Sequence, residues 1–89
     1  MRVSSRENPN AHVLLNGVQL NYVLAADDGE GWVERCVTDR NGWIVMADGK
    51  KAPFLHDPAV IEYNRAIIQV ERIEGLTGLK IVMVPGANL

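Results

Sequence analysis

Apolar and polar positions alternate most regularly between His12 and Leu24. With Asn16-Gly17 as a two-residue turn, Leu15 faces Val18 and Val13 faces Leu20. Val13, Leu15, Val18, Leu20, Tyr22 and Leu24 then share one face, with His12, Leu14, Gln19, Asn21 and Val23 on the other. A period of two over this length is the mark of a half-buried antiparallel pair. Asn-Gly suits the turn because a type I′ loop needs positive φ at both central residues.

A second pair of β-rich runs, Gly31 to Thr38 and Trp43 to Ala47, flanks Asn41-Gly42. The chain is organised around this hairpin. A type I′ loop sets Arg40 opposite Trp43, Thr38 opposite Val45 and Val37 opposite Met46. Val33, Val37, Ile44 and Met46 then lie on one face, and Trp32, Cys36, Trp43, Val45 and Ala47 on the other. Asp39-Arg40-Asn41-Gly42 also suits a type I turn with a bulge at the glycine, which moves the register by one and swaps the faces of one strand. Either register leaves both faces partly apolar, so the hairpin is expected to be covered on two sides.

The remaining pattern is shorter. Residues 1–11 carry Ser4, Ser5, Asn8, Pro9 and Asn10 without periodicity and read as an N-terminal arm. Ala25 to Gly31 reads as a tight acidic connection. Lys50 to Asp57 reads as an irregular link. Asp57-Pro58 suits a helix start, with Asp57 as N-cap, whereas the β-branched residues from Ile67 to Ile73 favour a strand. The expectation is a helical turn near Pro58 to Asn64, then a strand from about Ala66 to Glu74. Gly75-Leu76-Thr77-Gly78 is expected to join that strand in a hairpin to Leu79 to Val84, whose apolar run predicts a central, covered position. Residues 85–89 form a short tail after a single β domain at 12–84. The fold expected is all-β: a small antiparallel sheet of about six strands in three hairpins, curled as a barrel or sandwich, with one short helical turn.

Composition narrows the function. With 89 residues there is room for one small core, worth on the order of 3–5 kcal/mol net, so burial through oligomerisation would matter. Nine basic against eleven acidic residues give a net charge of −2. That is too balanced for a protein held to nucleic acid by phosphate contacts, and Lys50-Lys51 reads as a solvated loop. The stretch free of charged side chains from Asn8 to Ala26 holds four asparagines and a proline, so no membrane span is expected. Residues 1–10 are polar and lack the apolar core of a secretory signal. The single cysteine, Cys36, forms no internal disulfide; a lone thiol suits a reducing cytoplasm, and at mid-strand it reads as a small hydrophobe.

Candidate chemistry is sparse. Asp27, Asp28 and Glu30 lack the ligand spacing of a Ca²⁺ loop and read as turn residues. His12 and His56 belong to no triad, metal pair or nucleophile elbow. The chain is therefore expected to be non-enzymatic, with no catalytic, cofactor-binding or metal-binding residue and no cofactor. The informative side chains are Trp32, Arg40 and Trp43, since Trp and Arg are enriched where partners bury each other. These three form the expected interaction surface. The competing reading has both tryptophans covering the core of their own domain.

Three segments carry a resemblance. Leu15-Asn16-Gly17-Val18, Ala26 to Val33 and Val37 to Gly42 resemble the "NGV" hairpin, the "AD-x-x-x-GWV" segment and the "TD-x-NG" turn of short uncharacterised β-rich proteins encoded in tailed-bacteriophage genomes. The likeness covers roughly residues 14–49 and 70–84; Ala52 to Arg65 is longer here. Such proteins are often encoded near head and tail genes. The resemblance implies a capsid-associated, decoration or connector component in the virion or host cytoplasm. Its partners would be itself or other virion proteins, as a homo-oligomer or assembly subunit. The alternative it leaves is a small phage-encoded binder that inhibits or redirects a host protein. It brings no activity and no functional residue.

Overall fold

A computed structural model describes residues 1–52 and 65–85. Among the described residues the chain is all-β with almost no helix. Its strands are β1 (Arg2–Ser4), β2 (Ala11–Leu15), β3 (Val18–Gln19), β4 (Val23–Asp27), β5 (Trp32–Cys36), β6 (Ile44–Val45), β7 (Lys51–Ala52), β8 (Val70–Ile73) and β9 (Leu79–Met83). A 3₁₀ turn spans Arg65–Ile67. One antiparallel sheet has the order β1-β4-β5-β8, a second the order β3-β2-β9, and β6-β7 form a ribbon. Among the described residues neither main sheet closes on itself, so a sandwich describes the arrangement and a barrel does not.

The two sheets share a core. Val3, Ala26 and Val33 of the first meet Val13, Leu79 and Ile81 of the second. A separate cluster of Leu24, Cys36, Ile44 and Ile68 sits on the other face of β5. The central hairpin is thus covered on two sides, as its apolar faces predicted. The pleat alone assigns Val33 to one cluster and Cys36 to the other, three positions away. Leu24 reaches the Cys36 side because the β4–β5 register slips between Val23 and Ala25, a bulge that changes which residues face which layer.

The Asn16-Gly17 turn forms as expected. Asn16 and Gly17 have φ of 52° and 83°, Leu15 pairs with Val18, and Leu20 N–H donates to Val13 C=O at 2.9 Å. The long alternating face behind it does not form. β3 ends at Gln19, and Tyr22, at φ 56°, turns the chain out of the second sheet into the first. Val18 is left 67% exposed while Leu24 is fully buried in the other cluster. Alternation counts positions and is blind to one left-handed residue that redirects a strand.

Asn41-Gly42 adopts the bulged alternative. Thr38 bridges Ile44, Gly42 N–H donates to Asp39 C=O at 3.0 Å, and Gly42 alone of the dipeptide has positive φ, 81°. The register with Arg40 opposite Trp43 is therefore corrected by one residue. Ile44 replaces Trp43 in the row that holds Trp32 and Cys36.

Other expectations are corrected too. Arg2–Ser4 is not part of an arm: it pairs with β4, matching Val3 to Ala26, and Val3 is buried. Three residues are too few to show a period. β4 runs on to Asp27, inside the expected connection, and Lys51–Ala52 of the expected link pairs with β6. Within the strand expected over Ala66 to Glu74, the 3₁₀ turn precedes β8. The helical turn expected at Pro58 to Asn64 lies outside the described residues, as do residues 86–89 of the tail. The third hairpin does not exist. β8 pairs with β5 and β9 with β2, because Leu76 N–H is held by Gly31 C=O at 2.8 Å and the loop carries the chain across to the second sheet. Among the described residues β9 is consequently an edge strand, with Leu79 and Ile81 buried and Lys80, Val82 and Met83 exposed.

Candidate interaction surface

Trp32, Arg40 and Trp43 do not form one surface. Trp32 lies opposite Asp27 in the β4–β5 ladder, which puts it in the row of Arg2 on β1. Its indole is almost fully buried. The Arg72 guanidinium lies 4.1 Å from the ring centroid and that of Arg2 5.6 Å, both within cation–π range. The indole N–H donates to Glu30 at 3.2 Å, and Arg72 is braced by Glu74 at 2.9 Å. Trp32 is thus engaged by its own chain, while Trp43 is 44% exposed and Arg40 is exposed beside it at the hairpin tip.

The tip is organised by Asp39. One carboxylate oxygen accepts from Asn41 N–H at 2.8 Å and Trp43 N–H at 3.0 Å; the other meets the Lys51 ammonium at 2.8 Å. Lys51 foremost, then the Trp43 N–H, hold this carboxyl below its ordinary pKa. An aspartate accepting backbone N–H bonds favours a local turn over a continued ladder. That is why the bulged loop wins here. It also fixes the backbone from which Trp43 projects.

A second exposed feature is the outer edge of β9, where the expected covered strand concealed it. Val84 N–H bonds to Asn10 C=O and Asn16 N–H to Gly78 C=O. With the β2–β9 register, alternation of the ladder turns the backbone N–H and C=O of Leu79, Ile81 and Met83 to the outer side. Val82, Met83 and Val84 are each about 36–40% exposed. Lys80, alternating with buried neighbours, was the sequence signal for a strand with one open face. The edge is blocked at one point: Ile81 N–H donates to the Asp28 carboxylate at 3.3 Å. Asp28 also binds the Met1 ammonium at 2.8 Å, a contact that lowers the aspartate's pKa and raises the amine's.

The rest of the acidic connection works as turn chemistry. Asp27 accepts from Gly29 N–H at 2.9 Å and Glu30 N–H at 3.0 Å. Among the described residues no three His, Cys, Asp or Glu side chains converge as a metal site, and no helix is long and apolar enough to cross a membrane. Cys36 is fully buried; burial pushes its thiol up to about 11, so it stays protonated at neutral pH and packs as a small hydrophobe. Comparison with protein-family models, curated proteins and solved structures finds no match.

Proposed function

We propose that this chain is a non-enzymatic structural or assembly component of a tailed phage, of capsid-associated, decoration or connector type. It works through contacts with copies of itself or with other virion proteins. The observation that carries the reading is the β9 edge, where Val82, Met83 and Val84 are exposed along a strand with one side unpaired among the described residues. Such an edge is a template for strand addition. The resemblance of the Asn16-Gly17, Trp32-Val33 and Asn41-Gly42 segments to phage-encoded proteins supports the setting. Mass spectrometry of purified particles should find the chain in many copies. Light scattering should show association across a hundredfold dilution, weakened when Val82 and Met83 are both replaced by Lys. A monomer at every concentration, absent from particles, overturns the reading.

The exposed Trp43 on its ordered turn favours the second reading, a small binder of a host protein. In that case one host partner is retained by immobilised protein and lost with Trp43→Ala, and the β9 substitutions have no effect.

A further inference from the structure

A cavity of about 460 Å³ opens between the N-terminal turn, the β2–β3 hairpin and the link into β4. It lies apart from the assembly edge, since no β9 residue lines it. Its volume falls within the range of small-molecule sites. Val13 and Leu24, both buried, belong to the apolar part of the wall. Ser4, Ser5, Asn8, His12, Gln19, Asn21 and Tyr22 supply the polar part.

Two properties of this wall select a ligand class. First, none of the lining residues is Asp, Glu, Lys or Arg. A charged ligand would lose water here without gaining a counter-charge. Second, the polar groups are three amides and two hydroxyls, with an imidazole and a phenol. Each amide side chain offers both donors and acceptors, the pattern that pairs with hydroxyls, which also do both. Apolar side chains and the Tyr22 ring complement a C–H face. Tyr22 is fixed in this wall by its left-handed backbone, a conformation a bulky side chain adopts only when its surroundings impose it.

We propose that this cavity binds a residue of a neutral saccharide. The test is an NMR titration of the full chain with glucose, galactose, mannose and N-acetylglucosamine, each into the millimolar range, with glucuronate and 1-hexanol in parallel. At least one neutral sugar should cause saturable shifts at the amides of residues 8, 11–13 and 19–25, and glucuronate and hexanol should not. Gln19→Ala and Asn21→Ala, both at exposed positions, should each weaken that sugar about threefold to tenfold, the loss expected for one neutral hydrogen bond. Val18→Ala, outside the lining, should leave the affinity unchanged. Dispersed spectra of the variants establish that they fold. No saturable shift from any neutral sugar overturns the proposal, as does equal binding of glucuronate or hexanol at the same amides.

Discussion

Asn16 and Asn41 occupy the same Asn-Gly dipeptide and do different work. Asn16 sits at φ 52°, whereas Asn41 does not have positive φ. Left-handed backbone costs an alanine roughly 1–2 kcal/mol, so Asn16→Ala should lower stability by about that much. Asn41→Ala should be nearly silent, and paired denaturant melts separate the two. The dipeptide makes both turns legible in the sequence. The register of the second depends on the Asp39 side chain, whose competition with the ladder no alternation pattern records. Asp39 also predicts a pH effect. Its folded pKa lies below the ordinary value, so its stabilisation is present above the unfolded pKa and lost as pH falls through the folded one. The Trp43 amide shift should therefore titrate with a midpoint below the usual aspartate value, and Asp39→Asn should abolish that transition. Glycine at 31 has φ of 72°, and a Cβ there would run into the Leu76 carbonyl. Gly31→Ala should cost roughly 1–3 kcal/mol, read from the thermal midpoint.

At the scale of elements, β5 is the strand on which the others depend. It is flanked by β4 and β8, with Val33 and Cys36 in different clusters. Its coverage on both sides was readable from apolar residues at odd and even positions alike. Truncating Leu24 or Ile44, each essentially inaccessible, should cost about 2–5 kcal/mol. Val18→Ala, at an exposed position, should fall within the small range of surface changes; chemical denaturation compares all three. The sequence pattern ranked Val18 and Leu24 together. It failed because Tyr22 turns the chain between them and the slip after Val23 reassigns faces. β9 shows the complementary failure. An apolar run such as Ile81 to Val84 looks central, yet membership of a sheet is settled by where the Gly75 to Gly78 loop delivers it. That loop is anchored by a backbone bond to Gly31, a contact invisible to local pattern.

For the whole molecule, β1, β8, β3 and β9 are the outermost strands of the two main sheets among the described residues. All-β class and the two-sided central hairpin were legible in the sequence. The division into two sheets was not, because it depends on pairings between distant segments. Those pairings set the order of events during folding. β2 waits for β9, matching Ala11 to Met83 and Leu15 to Leu79, so the second sheet forms only when both ends of the described chain meet. The β4–β5 hairpin needs only neighbours. If the local β4–β5 hairpin is the folding nucleus, the contacts of the β2–β9 ladder form after the transition state. Ile81→Val should accordingly speed unfolding with little change in the folding rate, while Val33→Ala should slow folding itself. Stopped-flow chevrons of the two variants measure the difference, and pulse-labelled amides should show β5 protected before β9.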